Sequence, residues 1–139
     1  RNQRQRPIGG LVSSRASFEA PAVAGFLSHC GWNSTLESIT NRVPLICCPF
    51  FNDQTINCRY ICREWAFGME MDSDNVTRGE MEKLVKELLD GEKGKEMKKK
   101  ATEWRKMAQE ATDTKGSSFL ILEKLVNELL LVKSEATRK

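Results

Sequence analysis

Apolar positions recur with a helical period through the second half of the chain. Thr77 and Glu80 have the spacing of a capping box, Val76 and Met81 fit the flanking staple, and Met81, Leu84, Val85, Leu88 and Leu89 form one face that ends before Gly91. A second helix is predicted over residues 92–112, with Met97, Ala101, Trp104, Ala108 and Ala111 on one stripe. Lys93, Lys95, Lys98, Lys99 and Lys100 lie largely off that stripe and read as a solvated face. A third helix, from about residue 118, places Leu122, Leu125, Val126, Leu129 and Leu130 on its buried side.

The first half has short apolar runs instead of long stripes. Residues 23–28 form one, followed by a glycine-containing turn and a helix start near Ser34; residues 43–48 form another, bounded by Pro44 and Pro49. A helix over residues 55–65 and a third strand over residues 67–71 complete the pattern. Strand and helix in alternation predict an α/β fold with βαβ units and a parallel sheet. In such sheets ligands bind beyond the carboxyl ends of the strands, the edge that carries residues 29–34 and 51–54.

At 139 residues, with 40% hydrophobic and 29% charged, the composition is that of a globular domain able to bury a core. The net charge is +3, yet Arg1, Arg4, Arg6 and Arg15 are the only charges in the first fifteen residues. Without those four, 18 basic residues face 19 acidic ones, so the body is almost neutral and no nucleic-acid partner is expected. No apolar run reaches the roughly 20 residues of a membrane span, and nothing at the start of the sequence resembles an export signal. Five cysteines then point to a reducing, cytoplasmic setting in which they act mostly as small buried hydrophobes. Of these only Cys58 and Cys62 have helical ligand spacing, so no metal site is expected.

The candidate chemistry lies in His29-Cys30-Gly31-Trp32-Asn33-Ser34-Thr35-Leu36-Glu37-Ser38, read as a strand-to-helix turn. Gly31 lets backbone approach a ligand, the amides of the helix start form an anion site, and His29, Asn33 and Ser34 add donors. A plainer account is available for each residue. Ser34 and Glu37 match a capping box, Trp32 and His29 fit a core, and Asp53-Gln54 fits the polar start of a helix.

Phe26 to Ser34, Glu37-Ser38, Val43-Pro44, Pro49 and Asp53-Gln54 together resemble the signature box of plant UDP-dependent glycosyltransferases of family 1. The similarity continues through residues 57–62 and Trp65 to the terminal helices, covering about residues 21–139, and its wording is nearest the branch with cyanohydrin and iridoid glucosyltransferases. The resemblance implies a Rossmann-like, C-terminal donor-binding domain of the GT-B type. It also implies that His29 and the amides of residues 31–34 hold a diphosphate, with Asn33 and Ser34 at its oxygens. Glu37 would accept hydrogen bonds from ribose hydroxyls, and Trp32, Asp53 and Gln54 would contact the sugar, with Gln at this place favouring glucose. The implied activity is inverting, metal-free transfer from UDP-glucose to a small hydrophobic acceptor, with UDP-glucose as co-substrate and no cofactor, by a monomeric protein. The alternative is a nucleotide-binding or interaction module without turnover.

The chain departs from the family pattern at Leu11, Ser13, Ser14 and Ala20, where a Trp, Pro-Gln and a His are expected, and at Arg42, where Gly is usual. The missing Trp is the family's uracil-stacking ring, an interaction of about 1–3 kcal/mol. In the family the catalytic base is a His in an N-terminal domain, and no residue here is assigned that role. The expected organisation is therefore a non-matching basic segment over residues 1–20 and part of a UDP-sugar-binding domain over residues 21–139, inactive alone.

Overall fold

The computed structural model describes residues 23–72 and 76–131, with side chains to residue 129. The basic segment, Leu11, Ser13, Ser14, Ala20 and the side chain of Leu130 therefore lie outside what is described. Strand β1 (Phe26–Ser28) leads into α1 (Trp32–Asn41), β2 (Leu45–Cys47), α2 (Asp53–Arg59) and β3 (Gly68–Glu70). Three helices follow: α3 (Arg78–Asp90), α4 (Glu92–Thr112) and α5 (Ser117–Leu125). The strands pair in parallel in the order β1-β2-β3, with Leu27 beside Ile46 and Ile46 beside Met69. This is the predicted sheet with helical crossovers.

Alternation along β2 divides the core between the two faces of the sheet. Leu45 and Cys47 join Cys30, Ile39, Cys58, Ile61, Phe67 and Ala101 on one face. Ile46 and Cys48 join Met69, Met71 and Met97 on the other, under Met81, Leu84 and Leu88 of α3. The two prolines predicted to bound the run around β2 fall just outside the strand, where a missing N–H costs no ladder bond.

Three sequence expectations change. Helix α1 begins at Trp32 with Gly31 as its N-cap and no side-chain cap, so Ser34 lies inside the first turn and the Ser34–Glu37 capping box does not form. The reason is local: the Thr35 amide and hydroxyl both donate to the Gly31 carbonyl at 3.0 Å, closing the turn three residues early. Helix α2 starts at Asp53 and widens over Tyr60–Glu64 into a π-type turn, in which the Trp65 amide reaches the Tyr60 carbonyl at 2.8 Å. Leu122, Leu125, Val126 and Leu129 are exposed: among the described residues, the main contacts of α5 are with α4 and with its own continuation over Val126–Leu131.

The other predicted helices match closely. Thr77 accepts the Glu80 amide at 3.2 Å and caps α3, while α4 spans the predicted residues and buries Met97 and Ala101. Ala108, assigned to its stripe, is exposed. The lysine run lies on the solvent side, with Lys95 paired to Glu92 at 2.5 Å and Lys100 to Glu103 at 2.8 Å. The Lys100 hydrogen bond holds the Glu103 carboxyl below its usual range.

Candidate donor-binding site

The turn between β1 and α1 is built by an unusual backbone at Cys30. Its φ of 65° is left-handed, and the conformation is held from both sides. Buried Ser28 accepts the Cys30 amide at 3.1 Å, and Asn57 of α2 donates to the Cys30 carbonyl at 3.0 Å. The chain thus reverses within two residues and starts α1 with its amides facing the carboxyl edge of the sheet. The ideal Cβ position at Gly31 lies 2.5 Å from His29 Nε2, so the glycine makes room for the imidazole against the helix start.

Around this turn the candidate residues fall into two groups. His29, Trp32 and Asn33 are exposed, and Ser34 and Glu37 are half-buried. Glu37 lies one turn beyond Asn33 and Ser34, which puts the three on neighbouring positions of α1. Asp53 and Gln54 open α2. Asn57 joins the groups, because the Nδ2 that donates to Cys30 also donates to Asp53 Oδ2 at 3.0 Å. Gln54 turns its carbonyl end toward the Phe50 and Phe51 amides at 3.0 and 3.3 Å, which leaves the NH2 end as the donor it offers a hydroxyl.

Trp32 is 48% exposed and tilts against Trp65 at 6.3 Å between ring centroids. Trp65 also meets Tyr60, Phe67 and Trp104, and its carbonyl accepts the Trp104 indole N–H at 3.0 Å. An aromatic wall thus runs from the turn back to α4. Such a surface offers a sugar ring an apolar face beside hydrogen-bonding groups.

Electrostatically the turn is a donor site. The orphan amides and dipole of the α1 N-terminus favour an anion, and α1 carries no acidic residue in its first turn to compete for it. Sequence reasoning assigned no role to Ser28 or to the Asn57 amide, which fix the turn. The signal for Asn57 was its position one helical turn after Asp53.

The same turn sits on a thiol cluster. Cys30, Cys47 and Cys58 are buried with their sulfurs within 4.8 Å of one another, and Cys62 Sγ is 3.9 Å from Cys58 Sγ. Hydrogen bonding with Cys30, then with Cys58 and Cys62, together with burial, pushes the Cys47 thiol up, while the Cys47 hydrogen bond draws Cys58 down.

The UDP-glucoronosyl and UDP-glucosyl transferase family model matches residues 15–104. The chain belongs to this family. It is 60% identical over 126 residues to 7-deoxyloganetin glucosyltransferase of Catharanthus roseus, covering 86% of this chain and 26% of that one. To (R)-mandelonitrile beta-glucosyltransferase of Prunus dulcis it is 53% identical over 110 residues, covering 79% and 23%. The fold matches Phytolacca americana UGT2, solved with UDP-2fluoro-glucose and pterostilbene, at a TM-score of 0.78 and 31% identity, covering 87% of this chain and 28% of that one. The chain thus spans about a quarter of the length of these relatives, and its architecture is part of the GT-B fold.

Proposed function

We propose that the α1 turn of this family member binds the UDP-glucose of an inverting O-glucosyl transfer to a small hydrophobic acceptor. The observation that carries the reading is the uncapped α1 N-terminus, with His29 beside Gly31 and Asn57 linking the turn to Asp53. His29 and the amides at Gly31, Trp32, Asn33 and Ser34 would meet the diphosphate. Glu37 would accept from the ribose hydroxyls, and Trp32, Asp53 and the Gln54 NH2 would meet the sugar. As the bond to the anomeric carbon breaks, negative charge builds on the departing diphosphate, and donors fixed beforehand stabilise that charge without reorganisation. This reading gives the transfer no metal cofactor, since amide dipoles and His29 serve the diphosphate. Relatives named for an iridoid and for a cyanohydrin substrate support a small hydrophobic acceptor.

Deprotonation of the acceptor hydroxyl needs a general base. The chain's single histidine, His29, is committed to the turn, so residues 21–139 are read as part of a UDP-sugar-binding domain and the isolated chain as inactive. That observation also sustains the second reading, a UDP-binding module without turnover. No described helix is long and apolar enough to cross a membrane, and all five cysteines are unbridged. The unbridged cysteines support the reading of a cytoplasmic protein, taken as a monomer.

Titrating UDP into the purified chain while following tryptophan fluorescence tests the site. Saturable quenching is expected, with loss of the signal in Glu37→Ala; an unchanged curve in that variant overturns the assignment. Glucose release into an acceptor from UDP-glucose by the chain alone would overturn the prediction of inactivity.

A further inference from the structure

Three of the five cysteines, from three positions of the fold, converge on one point, and a fourth lies beside one of them. Cys30 follows β1, Cys47 ends β2, Cys58 lies on α2 and Cys62 on the π-type turn after it. Cys30 and Cys47 are 0% exposed and Cys58 1%, with the three sulfurs within 4.8 Å of one another. Sulfurs bound at about 2.3 Å to a tetrahedral ion stand roughly 3.8 Å apart. The Cys58–Cys62 spacing of 3.9 Å already meets that figure, and Cys30, Cys47 and Cys58 need to contract toward one another by at most about 1 Å, with Cys62 closing in from beside Cys58 as the fourth ligand. Cys62, only half-buried, opens the cluster toward solvent and gives an ion a path in.

We propose that Cys30, Cys47, Cys58 and Cys62 form a binding site for a soft d10 cation of the zinc and cadmium type. Thiolate sulfur in a dry pocket selects such ions over hard ones, which prefer oxygen. The fifth cysteine supplies the internal contrast. Cys48 is equally a buried thiol, but it lies on the opposite face of the sheet among Met69, Met71 and Met97. A purely hydrophobic role would treat Cys47 and Cys48 alike; a metal site separates them. Binding replaces thiol S–H bonds with sulfur–metal bonds and releases one proton to solvent for each thiolate formed. The ion would tie β1, β2 and α2 together beneath the donor turn. This site is separate from the UDP-binding reading and does not depend on it.

Cadmium is the probe, because its thiolate complexes absorb in the ultraviolet. Titration of the reduced 139-residue chain is expected to give a thiolate-to-metal band that saturates at one ion per chain, with proton release and a rise in the urea midpoint. Cys47→Ser should lose all three responses and Cys48→Ser should keep them. Absence of the band, or an equal band in Cys47→Ser, overturns the site. Alkylation of the wild-type chain in mild denaturant tests the site without a variant. Cadmium should slow labelling at Cys30, Cys47, Cys58 and Cys62 and leave Cys48 unchanged; equal protection of Cys48 overturns the proposal.

Discussion

Helices α4 and α5 carry apolar stripes of the same period, and only one of them is in the core. Along α4, Met97 is 2% exposed and Ala101 0%, and Trp104 reaches across to the Trp65 carbonyl. Along α5, Leu122 and Leu125 are 59% and 50% exposed. The two segments differ in what surrounds them. Helix α4 packs on both α1 and α3, whereas the main contacts of α5 among the described residues are with α4 and its own continuation. A hydrophobic period defines a face, and only tertiary neighbours decide whether that face is buried.

The sharpest way to break this comparison is Met97→Ala. Met97 joins Ile46, Met69 and Met71 beneath α3, so truncation leaves a cavity at the centre of that layer. A loss of about 3 kcal/mol is expected, read as a fall in the urea midpoint of the 139-residue chain. A shift below about 0.5 kcal/mol would place α4 on the surface with α5.

Gly94→Ala tests how α4 reaches its place. The ideal Cβ there lies 2.2 Å from the Leu88 carbonyl oxygen and 2.6 Å from that of Glu87. Backbone atoms cannot rotate aside, so the corner between α3 and α4 must open. A loss of about 2 kcal/mol is expected by the same measurement, with overpacking as its cause. Wild-type stability in this variant would mean that α4 leaves α3 at a wider angle than the structure shows.

At the α1–β2 connection a smaller effect of the opposite sign is expected. Arg42 caps α1 at φ 59° and ψ 33°, where its amide meets the Ile39 and Ser38 carbonyls. A side chain in this region costs about 1 kcal/mol, which glycine avoids. Arg42→Gly should therefore raise the urea midpoint by an equivalent of about 0.5 kcal/mol, the increased freedom of the unfolded chain offsetting part of the gain. A decrease would show that the arginine side chain holds the turn. In that case local contacts would be fixing α1 and, with it, the surface on which α4 packs.

The same division between local and distant causes explains what the sequence made legible. The parallel sheet could be read because Pro44 and Pro49 bracket the apolar run that contains β2, and helix α3 because Thr77 announces its start. The family box marked the donor turn, and its departure at Arg42 coincides with an observed left-handed residue. The first turn of α1 could not be read from spacing, since Ser34 and Glu37 satisfy the same pattern whether Gly31 or Ser34 is the cap. The thiol cluster was hidden for a different reason. Cys30, Cys47 and Cys58 meet only because β1 and β2 pair in parallel and α2 crosses over them, a relation that no local spacing contains.

The smallest expected effect closes the comparison from the α5 side. Leu122 has the residue type and helical phase that made it a predicted core position, yet most of its surface faces solvent. Removing atoms that are already hydrated forfeits little transfer free energy and opens no cavity, so Leu122→Ala should change stability by less than about 0.5 kcal/mol. If it costs as much as Met97→Ala, α5 is buried in solution, and dilution identifies the partner surface. A cost that fades as the chain is diluted means α5 packs on a second copy, because association stabilises only by mass action. A cost that persists means α5 folds back on its own chain and that the contrast with α4 does not hold.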